Sequence, residues 1–310
     1  MKRAIVTGAA GFIGSHLCES LLGKGFKVTG VDNLVTGSKE NISHLKKNKS
    51  FKFSKKDITK PVKLSGKLDY IFNLASPASP IDYQRIPIKT ILANSLGTKN
   101  MLDLALEKNA VFLDASTSEV YGDPLEHPQK ETYNGNVSIS GPRACYDESK
   151  RFGEMLTAYY GRVFGLEVRI ARIFNTYGPR MRVNDGRVIP NFVSQALHNK
   201  PITVYGSGSQ TRSFCYVSDL VRGLEKLAFS SYKKPVNLGN PRELKIVDLA
   251  RKIKQLTGSG SKIVFKELPV DDPARRKPDI STARKKLKWK PLIGVNEGLE
   301  RTIKYFRERQ

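Results

Sequence analysis

The 310-residue sequence predicts an α/β fold in which a doubly wound parallel sheet carries a smaller C-terminal portion. Two observations predict it. Short β-branched runs alternate with helical patterns over the first 175 residues, and long polar loops between short strands and helices follow after Asn175. We therefore expect one domain over residues 1–175, with later segments returning to it, and a smaller portion over residues 176–310.

Strand and helix patterns follow one another closely in the first of these regions. Strands that alternate with helices form parallel sheets with right-handed crossovers, which gives the doubly wound arrangement. The strand candidates are residues 2–7, 26–32, 51–58, 69–76, 111–117 and 166–174, and the helical patterns span residues 12–25, 88–108 and 144–163.

The net charge of +24 is the unusual bulk property of the chain. Such a charge attracts polyanions such as nucleic acid, acidic membrane surfaces or phosphorylated substrates. The lysines are scattered, without a basic helix that interleaves aromatic residues, so a solvated basic surface is favoured over a nucleic-acid site. No apolar stretch approaches the ~20 residues of a membrane span.

The three cysteines are widely spaced along the chain, and the four histidines are isolated from one another. No C-x-x-C pair or metal-ligand spacing is present, so neither a disulfide framework nor a metal site is predicted. We expect a cytoplasmic protein in a reducing compartment. The cysteines and histidines are Cys18, Cys145, Cys215, His16, His44, His127 and His198.

Three spaced glycines, Gly8, Gly11 and Gly14, lie between the first strand and the first helix. Such a turn needs positive φ, close approach of the backbone to a pyrophosphate, and the free N–H groups of a helix N-terminus. Asp32 ends the next strand, where a carboxylate accepts hydrogen bonds from an adenosine ribose and repels a 2′-phosphate. The pattern predicts a Rossmann-type domain that binds NAD rather than NADP, although Lys39 is near enough in sequence to keep that preference open.

Tyr146 and Lys150 of "YDESK" are four residues apart in a helical pattern, so both side chains lie on one face. An ammonium group beside a phenol favours the phenolate, and we expect Lys150 to lower the pKa of Tyr146 from about 10. A tyrosine of this kind suits removal of a proton from a sugar hydroxyl while hydride leaves the same carbon for NAD. Thr117, at the end of a predicted strand, is the hydroxyl that would assist it.

A concentration of polar side chains follows an apolar run in "DASTSEVYGDP", residues 114–124. Thr117, Ser118 and Glu119 stand side by side there. Taken alone, such residues often cap the following turn, and Arg276, which precedes a Lys-Pro pair, would ordinarily be solvated. The context of a dinucleotide site favours a functional role for all four.

Several long strings of the sequence carry a resemblance to a known family. The chain resembles the extended short-chain dehydrogenase/reductases that modify nucleotide sugars, and among them the UDP-glucuronate decarboxylases, also called UDP-xylose synthases. The similarity covers nearly the whole chain; Ala9 replaces a glycine of the family pattern outside the three spaced positions. The strings are "STSEVYGDP", "GPRACYDESKR", "RIFNTYGPRMRVNDGRV", "VYGSGSQTRSFCYVSDL" and "DDPARRKPDI".

The resemblance implies a sequence of chemical steps. Family members oxidise C4 of UDP-glucuronate with bound NAD, release CO2 from the β-keto acid, protonate C5 and return the hydride to give UDP-xylose. Tyr146 would be the base at the C4 hydroxyl, Thr117 would hydrogen-bond the reacting oxygen, and Lys150 would position the nicotinamide ribose.

The resemblance also places three side chains at the C5 carboxylate. Ser118 and Glu119 would lie beside it, and Arg276 corresponds to the arginine implicated in decarboxylation and reprotonation. A nearby cation stabilises the enolate-like charge that remains when CO2 leaves. For Glu119 a hydrogen bond, a proton or ground-state destabilisation all remain open.

Further contacts are implied by the resemblance alone. The helices at 88–108 and 144–163 would pair two subunits into a homodimer. Near the sugar, or in a neighbouring loop, would lie the string 75–80 and three arginines, Arg143, Arg182 and Arg187. Cofactor contacts are implied for Phe12, Ile13, Asn33, Thr36, Gly37, Asp57, Ile58, Leu74 and Ser76, and UDP-sugar contacts for Asn175, Asn191, Tyr205, Gln210, Arg212 and Arg276.

Three alternatives remain open from the sequence, two of them enzymes. A nucleotide-sugar 4,6-dehydratase would typically carry Thr-Asp-Glu at positions 117–119, and a 4-epimerase would usually lack both Glu119 and Arg276, so decarboxylation is favoured. A basic Rossmann protein that binds RNA without catalysis is the alternative from another class. Intact Tyr146, Lys150 and Thr117 argue against it.

Overall fold

A computed structural model of the chain describes residues 1–267 and 275–309. The strands are β1 (Arg3–Thr7), β2 (Lys27–Asp32), β3 (Phe51–Lys55), β4 (Tyr70–Asn73), β5 (Val111–Thr117), β6 (Val168–Ile173), β7 (Thr176–Tyr177), β8 (Ile202–Tyr205), β9 (Thr211–Ser213), β10 (Cys215–Tyr216), β11 (Val236–Leu238), β12 (Glu243–Lys245), β13 (Ile263–Lys266) and β14 (Arg275–Arg276).

The helices lie between these strands. They are α1 (Phe12–Gly23), α2 (Pro80–Arg85), α3 (Pro87–Leu92), α4 (Thr98–Lys108), α5 (Ala144–Phe164), α6 (Val188–Leu197), α7 (Val217–Ala228), α8 (Ile246–Thr257), α9 (Ser281–Leu287) and α10 (Val295–Arg307). A π-helical turn, Ala93–Gly97, joins α3 to α4, and 3-10 turns span Lys39–Leu45 and Ser118–Tyr121.

Seven strands form the central sheet in the order β11-β6-β5-β4-β1-β2-β3. Every neighbouring pair in it is parallel. The strand order reverses between β1 and β4, and at such a point the crossovers leave a crevice beyond the carboxyl ends of the strands. The predicted doubly wound parallel sheet is therefore confirmed, and its topology places a ligand crevice beside the glycine turn after β1.

The predicted elements of the first region correspond closely to those observed. The strand predicted at 51–58 ends earlier, at Lys55, because Asp57 turns the chain: its Oδ1 accepts hydrogen bonds from Thr59 N at 2.9 Å and Thr59 Oγ1 at 2.8 Å. The helix predicted at 88–108 is interrupted by the π-helical turn, while α5 follows its predicted bounds to within one residue.

Helix α5 buries several polar side chains against the central sheet. Its buried stripe includes Tyr146, Lys150 and Glu154 at intervals of four residues, so all three face the sheet. Glu154 is satisfied there by Arg172 on β6, whose Nε lies 3.1 Å from each carboxylate oxygen, and by Ser116 Oγ at 2.7 Å. The stripe therefore continues from a structural ion pair to the two residues predicted to catalyse the reaction.

The residues after Asn175 build small sheets beside the cleft and also return to the main sheet. β13 pairs with β8, and β9 lies between β12 and β14. β11 joins the edge of the central sheet by pairing with β6. Over residues 1–267 and 275–309 the helices are all too short or too polar to cross a membrane.

Candidate active site

A cleft of about 1180 Å³ runs along the carboxyl ends of the central sheet. It is lined by the predicted cofactor, catalytic and UDP-sugar residues, with Gly37 as the exception. A Cβ atom on Gly37 would lie 3.0 Å from Asp32 Oδ2 and 3.1 Å from the carbonyl carbon of Ala10. This glycine therefore packs closely against Asp32 and Ala10. Of the string 271–280, residues 271–274 lie outside the described residues, and Arg276 reaches the cleft.

The glycine turn after β1 packs closely against the neighbouring backbone only because it lacks side chains. Gly8 has a φ of +66°, and a Cβ on it would lie 2.9 Å from Leu74 O. A Cβ on Gly14 would lie 2.1 Å from Gly8 O, which is a clash with backbone. Helix α1 begins at Phe12 without a side-chain cap, so the N–H groups of its first turn face the turn. This arrangement fits the pyrophosphate of a dinucleotide.

Asp32 is fixed at the end of β2 by two backbone hydrogen bonds. Its Oδ2 accepts from Ala10 N at 3.0 Å and its Oδ1 accepts from Leu34 N at 2.7 Å. Burial raises the pKa of Asp32, although these two bonds oppose the effect. Nearby, Asn33 donates to Asp57 Oδ2 at 3.1 Å, which joins two of the residues predicted to contact the cofactor.

Tyr146 lies on the buried face of α5 with 6% of its surface exposed. Burial raises its pKa, a hydrogen bond with the Thr117 side chain lowers it, and the carboxylates of Glu119 and Asp147 raise it further. Lys150 does not reverse this balance, so the predicted lowering of the Tyr146 pKa is wrong for the structure as it stands. The cause is the loss of solvation, which the spacing of two residues along a helix does not reveal.

Lys150 is anchored to the sheet. Its Nζ donates to Ala115 O on β5 at 2.8 Å, and burial lowers its pKa while the Asp114 carboxylate opposes the change. Lys150 is also one of the residues that line the cleft. It is therefore held in one place by β5 and is available to a group bound beside it.

Glu119 is bound by two guanidinium groups. One of its oxygens accepts from Arg143, the residue before α5, and the other accepts from Arg276 of β14. Arg276 also donates to Ser118 Oγ at 3.3 Å and to Gly122 O at 2.8 Å. The 3-10 turn after β5 is thus tied to β14, across 157 residues of sequence.

The two guanidinium groups decide the ionisation of Glu119. Burial alone would raise its pKa, but Arg276 and Arg143 outweigh burial and lower the pKa to about 2. Glu119 is therefore a carboxylate at neutral pH. Of the three roles left open by the sequence, donation of a resting proton by Glu119 does not agree with this arrangement.

The half of the cleft that is predicted to bind the UDP-sugar is built by residues that follow β6. Arg212 on β9 is opposite Arg276 in the register of β9 and β14, and 8% of its surface is exposed. Gln210 donates through Nε2 to Tyr205 O at 2.7 Å, and the Tyr205 ring is 44% exposed at the rim. Asn175 and Asn191 also line this half.

Two loops, one around residues 79–82 and one around residues 182–187, meet at the rim of the cleft. Asp82 of α2 pairs with Arg182, and Ser79 donates to the backbone oxygen of Asp185. Arg187 pairs with Asp185 and lies close enough to Tyr146 to lower its pKa. The string 75–80 and the two loop arginines are therefore parts of one rim.

Two residues of the site were missed from the sequence. Tyr83 is 1% exposed and lines the cleft, and within the described residues its hydroxyl has no hydrogen-bond partner. Asp147 is 6% exposed, and burial and the Glu119 carboxylate raise its pKa to about 7. Asp147 stands inside "GPRACYDESKR", which carried the resemblance, and Tyr83 lies three residues after the string 75–80. Only the fold shows that both are buried beside Tyr146.

The chain is similar in sequence to known proteins along nearly its whole length. The sequence model of the NAD dependent epimerase/dehydratase family matches residues 4–239. UDP-glucuronic acid decarboxylase 1 of Arabidopsis thaliana is 53% identical over 307 residues, which cover 99% of this chain and 70% of that protein. UDP-glucuronic acid decarboxylase 1 of Xenopus tropicalis is 54% identical over 99% of this chain and 72% of its own length.

Solved structures match the whole chain. The UDP-N-acetylglucosamine 4-epimerase of Methanobrevibacter ruminantium M1, in complex with UDP-N-acetylmuramic acid, superposes with a TM-score of 0.93 at 28% identity over 100% of this chain and 99% of that one. The UDP-glucuronic acid 4-epimerase of Bacillus cereus, in complex with UDP-glucuronic acid and NAD, gives 0.88 at 27% identity over 99% and 100%.

Proposed function

We propose, for a chain that belongs to the NAD-dependent epimerase/dehydratase family, that it converts UDP-glucuronate to UDP-xylose and CO2 with NAD regenerated. The observation that carries the proposal is the position of Glu119 between Arg143 and Arg276, beside the Thr117 and Tyr146 hydroxyl groups in one cleft. A 4-epimerase that acts on a sugar without a carboxylate needs the hydroxyl pair but no cation at C5. A 4-epimerase that acts on UDP-glucuronate binds the same carboxylate, so release of CO2 is what distinguishes the proposed activity from it.

The cofactor half of the cleft fits NAD. The turn that begins at Gly8 would hold the pyrophosphate, Asp32 the adenosine ribose, and Lys150 the nicotinamide ribose. The chemistry that NAD supplies is the reversible acceptance of a hydride from C4 of the sugar.

Tyr146 would move the proton of the C4 hydroxyl. Because burial holds its pKa above the ordinary value, the phenolate needs added positive charge nearby. Lys150 and Arg187 are cations that line the same cleft. Thr117 would keep the reacting oxygen in place through its hydroxyl, which already interacts with Tyr146.

The arginine cluster would act at C5. Once C4 is a ketone, the C5–C6 bond can break, CO2 leaves, and its electron pair forms an enolate with the C4 oxygen. A proton then adds to C5, so each turnover consumes one proton. Arg276, 2% exposed and held by Glu119, Ser118 and Gly122, offers a fixed cation for the charge on the carboxylate and on the enolate.

The first experiment is incubation of the purified protein with UDP-glucuronate and NAD, with nucleotide sugars and CO2 followed by mass spectrometry. We expect UDP-xylose, one CO2 per turnover and no net NADH. UDP-galacturonate without CO2 would instead assign a 4-epimerase. Retention of RNA that depends on salt, with no turnover of any UDP-sugar, would support the binding-protein alternative.

A homodimer is proposed from the exposed apolar side chains of adjacent helices. Helices α3 to α5 carry them on the outside of the main domain, where a second copy would complete a four-helix bundle. Light scattering coupled to size exclusion should give twice the chain mass; Met155→Glu should shift it to the monomer, and Leu125→Glu, which is off this face, should not. The side chains are Ile88, Leu92, Leu96, Phe152, Met155, Tyr159, Val163 and Phe164.

A further inference from the structure

The carboxyl group of Asp147 is buried one helical turn after Arg143. Its Oδ2 lies 3.8 Å from Arg143 Nε, and within the described residues its Oδ1 has no hydrogen-bond partner. It shares Arg143 with Glu119, whose two oxygens are both bound by guanidinium groups. Asp147 is therefore the less well satisfied of two carboxyl groups beside the same cation.

Among the described residues, the ion-paired charges of this cluster balance when Asp147 is ionised. Glu119 and Asp147 supply two carboxylates, and Arg143 and Arg276 supply two guanidinium groups. The carboxylate of UDP-glucuronate would add a third negative charge in a poorly solvated place. An excess buried charge is costly, and a carboxyl group that can accept a proton removes it.

We propose that Asp147 is a positioning residue that takes up a proton when the glucuronate carboxylate binds, so that Arg143 and Arg276 serve Glu119 and the substrate. The inference rests on the proposed function, because it names what the site does with the carboxylate of that substrate. Asp147 does not line the cleft, so it acts through Arg143 and not by touching the sugar.

The groups that face Asp147 agree with this assignment. Burial raises its pKa most, Glu119 of the 3-10 turn raises it further, Arg143 and Arg276 lower it, and Glu148 on its own helix raises it, to give about 7. Tyr83 of α2 and Tyr146 also lie within its electrostatic reach, and both are neutral at that pH because burial raises their pKa values. A third carboxylate would raise the pKa of Asp147 again.

The sign of the effect follows from linkage. Above pH 7 the free protein holds Asp147 mainly ionised, and binding must bring a proton from solvent, so affinity falls as pH rises. The reaction itself consumes one proton at C5. Uptake at Asp147 would bring a proton into the cluster at the binding step, before CO2 leaves.

Calorimetry on the NADH-loaded protein tests the proposal without turnover. The bound cofactor is already reduced, so it cannot accept a hydride from the sugar. Titrations at pH 8 in buffers of different ionisation enthalpy give the protons bound per ligand. We expect about half a proton to one proton for UDP-glucuronate and none for UDP-xylose, which lacks the carboxylate. Asp147→Asn should abolish the uptake, and Asp147→Ser is a second variant in case the first folds poorly.

Glu148→Gln is the matched control, since it removes the neighbouring carboxylate, which is half-exposed and lies 3.6 Å from Arg151. It should keep the uptake. Equal uptake in the parent and Asp147→Asn, or no uptake in the parent, would overturn the inference. If the NADH-loaded parent fails to bind UDP-glucuronate, both the inference and the proposed function are overturned. If the parent takes up protons on binding UDP-glucuronate but its NAD form makes no UDP-xylose, only the proposed function is overturned.

Steady-state kinetics give a second readout that a merely structural role would not move. KM for UDP-glucuronate in the parent should rise above pH 7 by up to about tenfold per pH unit, whereas in Asp147→Asn it should change less than about twofold between pH 6.5 and 8.5. A loss of kcat that is equal at every pH would mean that Asp147 only supports the helix, and would contradict the proposal.

Discussion

The ring of Tyr83 lies parallel to the ring of Tyr146, with their centroids 5.0 Å apart and an angle of 7° between their planes. Tyr83 comes from α2, in the rim loop, and Tyr146 comes from α5, so the stack joins the cover of the cleft to the residue proposed as base. The Tyr83 hydroxyl has no protein partner in the described part of the chain. The stack fixes the orientation of Tyr146 without competing for its hydroxyl group.

Replacement of Tyr146 by Phe should stop the reaction and leave the fold intact. The ring would keep its stack on Tyr83, while the group that removes the C4 proton is lost, so kcat should fall at least about a thousandfold. Formation of UDP-xylose measures the change. Tyr159→Phe, on the same helix and 48% exposed, is the control and should be silent. Turnover at the parent rate in Tyr146→Phe would remove this residue from the role of base.

Replacement of Gly14 by Ala should damage the cofactor site. The new Cβ would lie 2.1 Å from Gly8 O, and backbone cannot move aside without opening the turn. We expect NAD affinity to fall more than about tenfold, measured by calorimetry. Gly23→Ala at the other end of α1 is the control, because nothing lies within 4 Å of its Cβ, and it should raise stability by up to about 1 kcal/mol. Unchanged affinity in Gly14→Ala would contradict the assignment of the turn.

Replacement of Asp32 by Ala should weaken NAD more than NADP. The carboxylate would accept hydrogen bonds from the ribose and repel a 2′-phosphate, so its loss removes both effects at once. The ratio of the two dissociation constants should move towards NADP by about tenfold. Asp69→Ala, whose carboxylate is bound by Arg3 N at 2.8 Å near the start of β1, is a control at the opposite end of the sheet. Equal weakening of both cofactors would reject the ribose contact.

Local pattern was enough to predict much of the fold and the cofactor half. β5 has the predicted bounds, and α5 begins at its predicted residue, because alternation and helical periodicity are properties of neighbouring residues. The cluster of Glu119 with Arg276 was implied only by resemblance, since no local rule connects positions 157 residues apart.

The pKa values required the fold itself. The spacing of Tyr146 and Lys150 gave the right neighbours but the wrong direction for the Tyr146 pKa, because burial outweighs a nearby cation. Asp147 and Tyr83 were passed over for the same reason: a polar residue in a helical pattern is ordinarily solvated, and only packing shows that these two are enclosed.

Replacement of Arg276 by Ala should separate oxidation from the steps at C5. The hydroxyl pair at C4 remains, so hydride transfer can proceed, but the cation beside the carboxylate and the enolate is gone. We expect UDP-xylose formation to fall at least about a hundredfold, with NADH absorbance at 340 nm during turnover where the parent shows none. The fold should also lose stability, because among the described residues Glu119 would keep Arg143 alone as a charge partner, in a largely buried place. Arg275→Ala removes the exposed neighbouring guanidinium and should leave turnover unchanged. Parent-like formation of UDP-xylose in Arg276→Ala would show that the cation at C5 is supplied elsewhere, and Arg143, the other partner of Glu119, would be the residue to replace next.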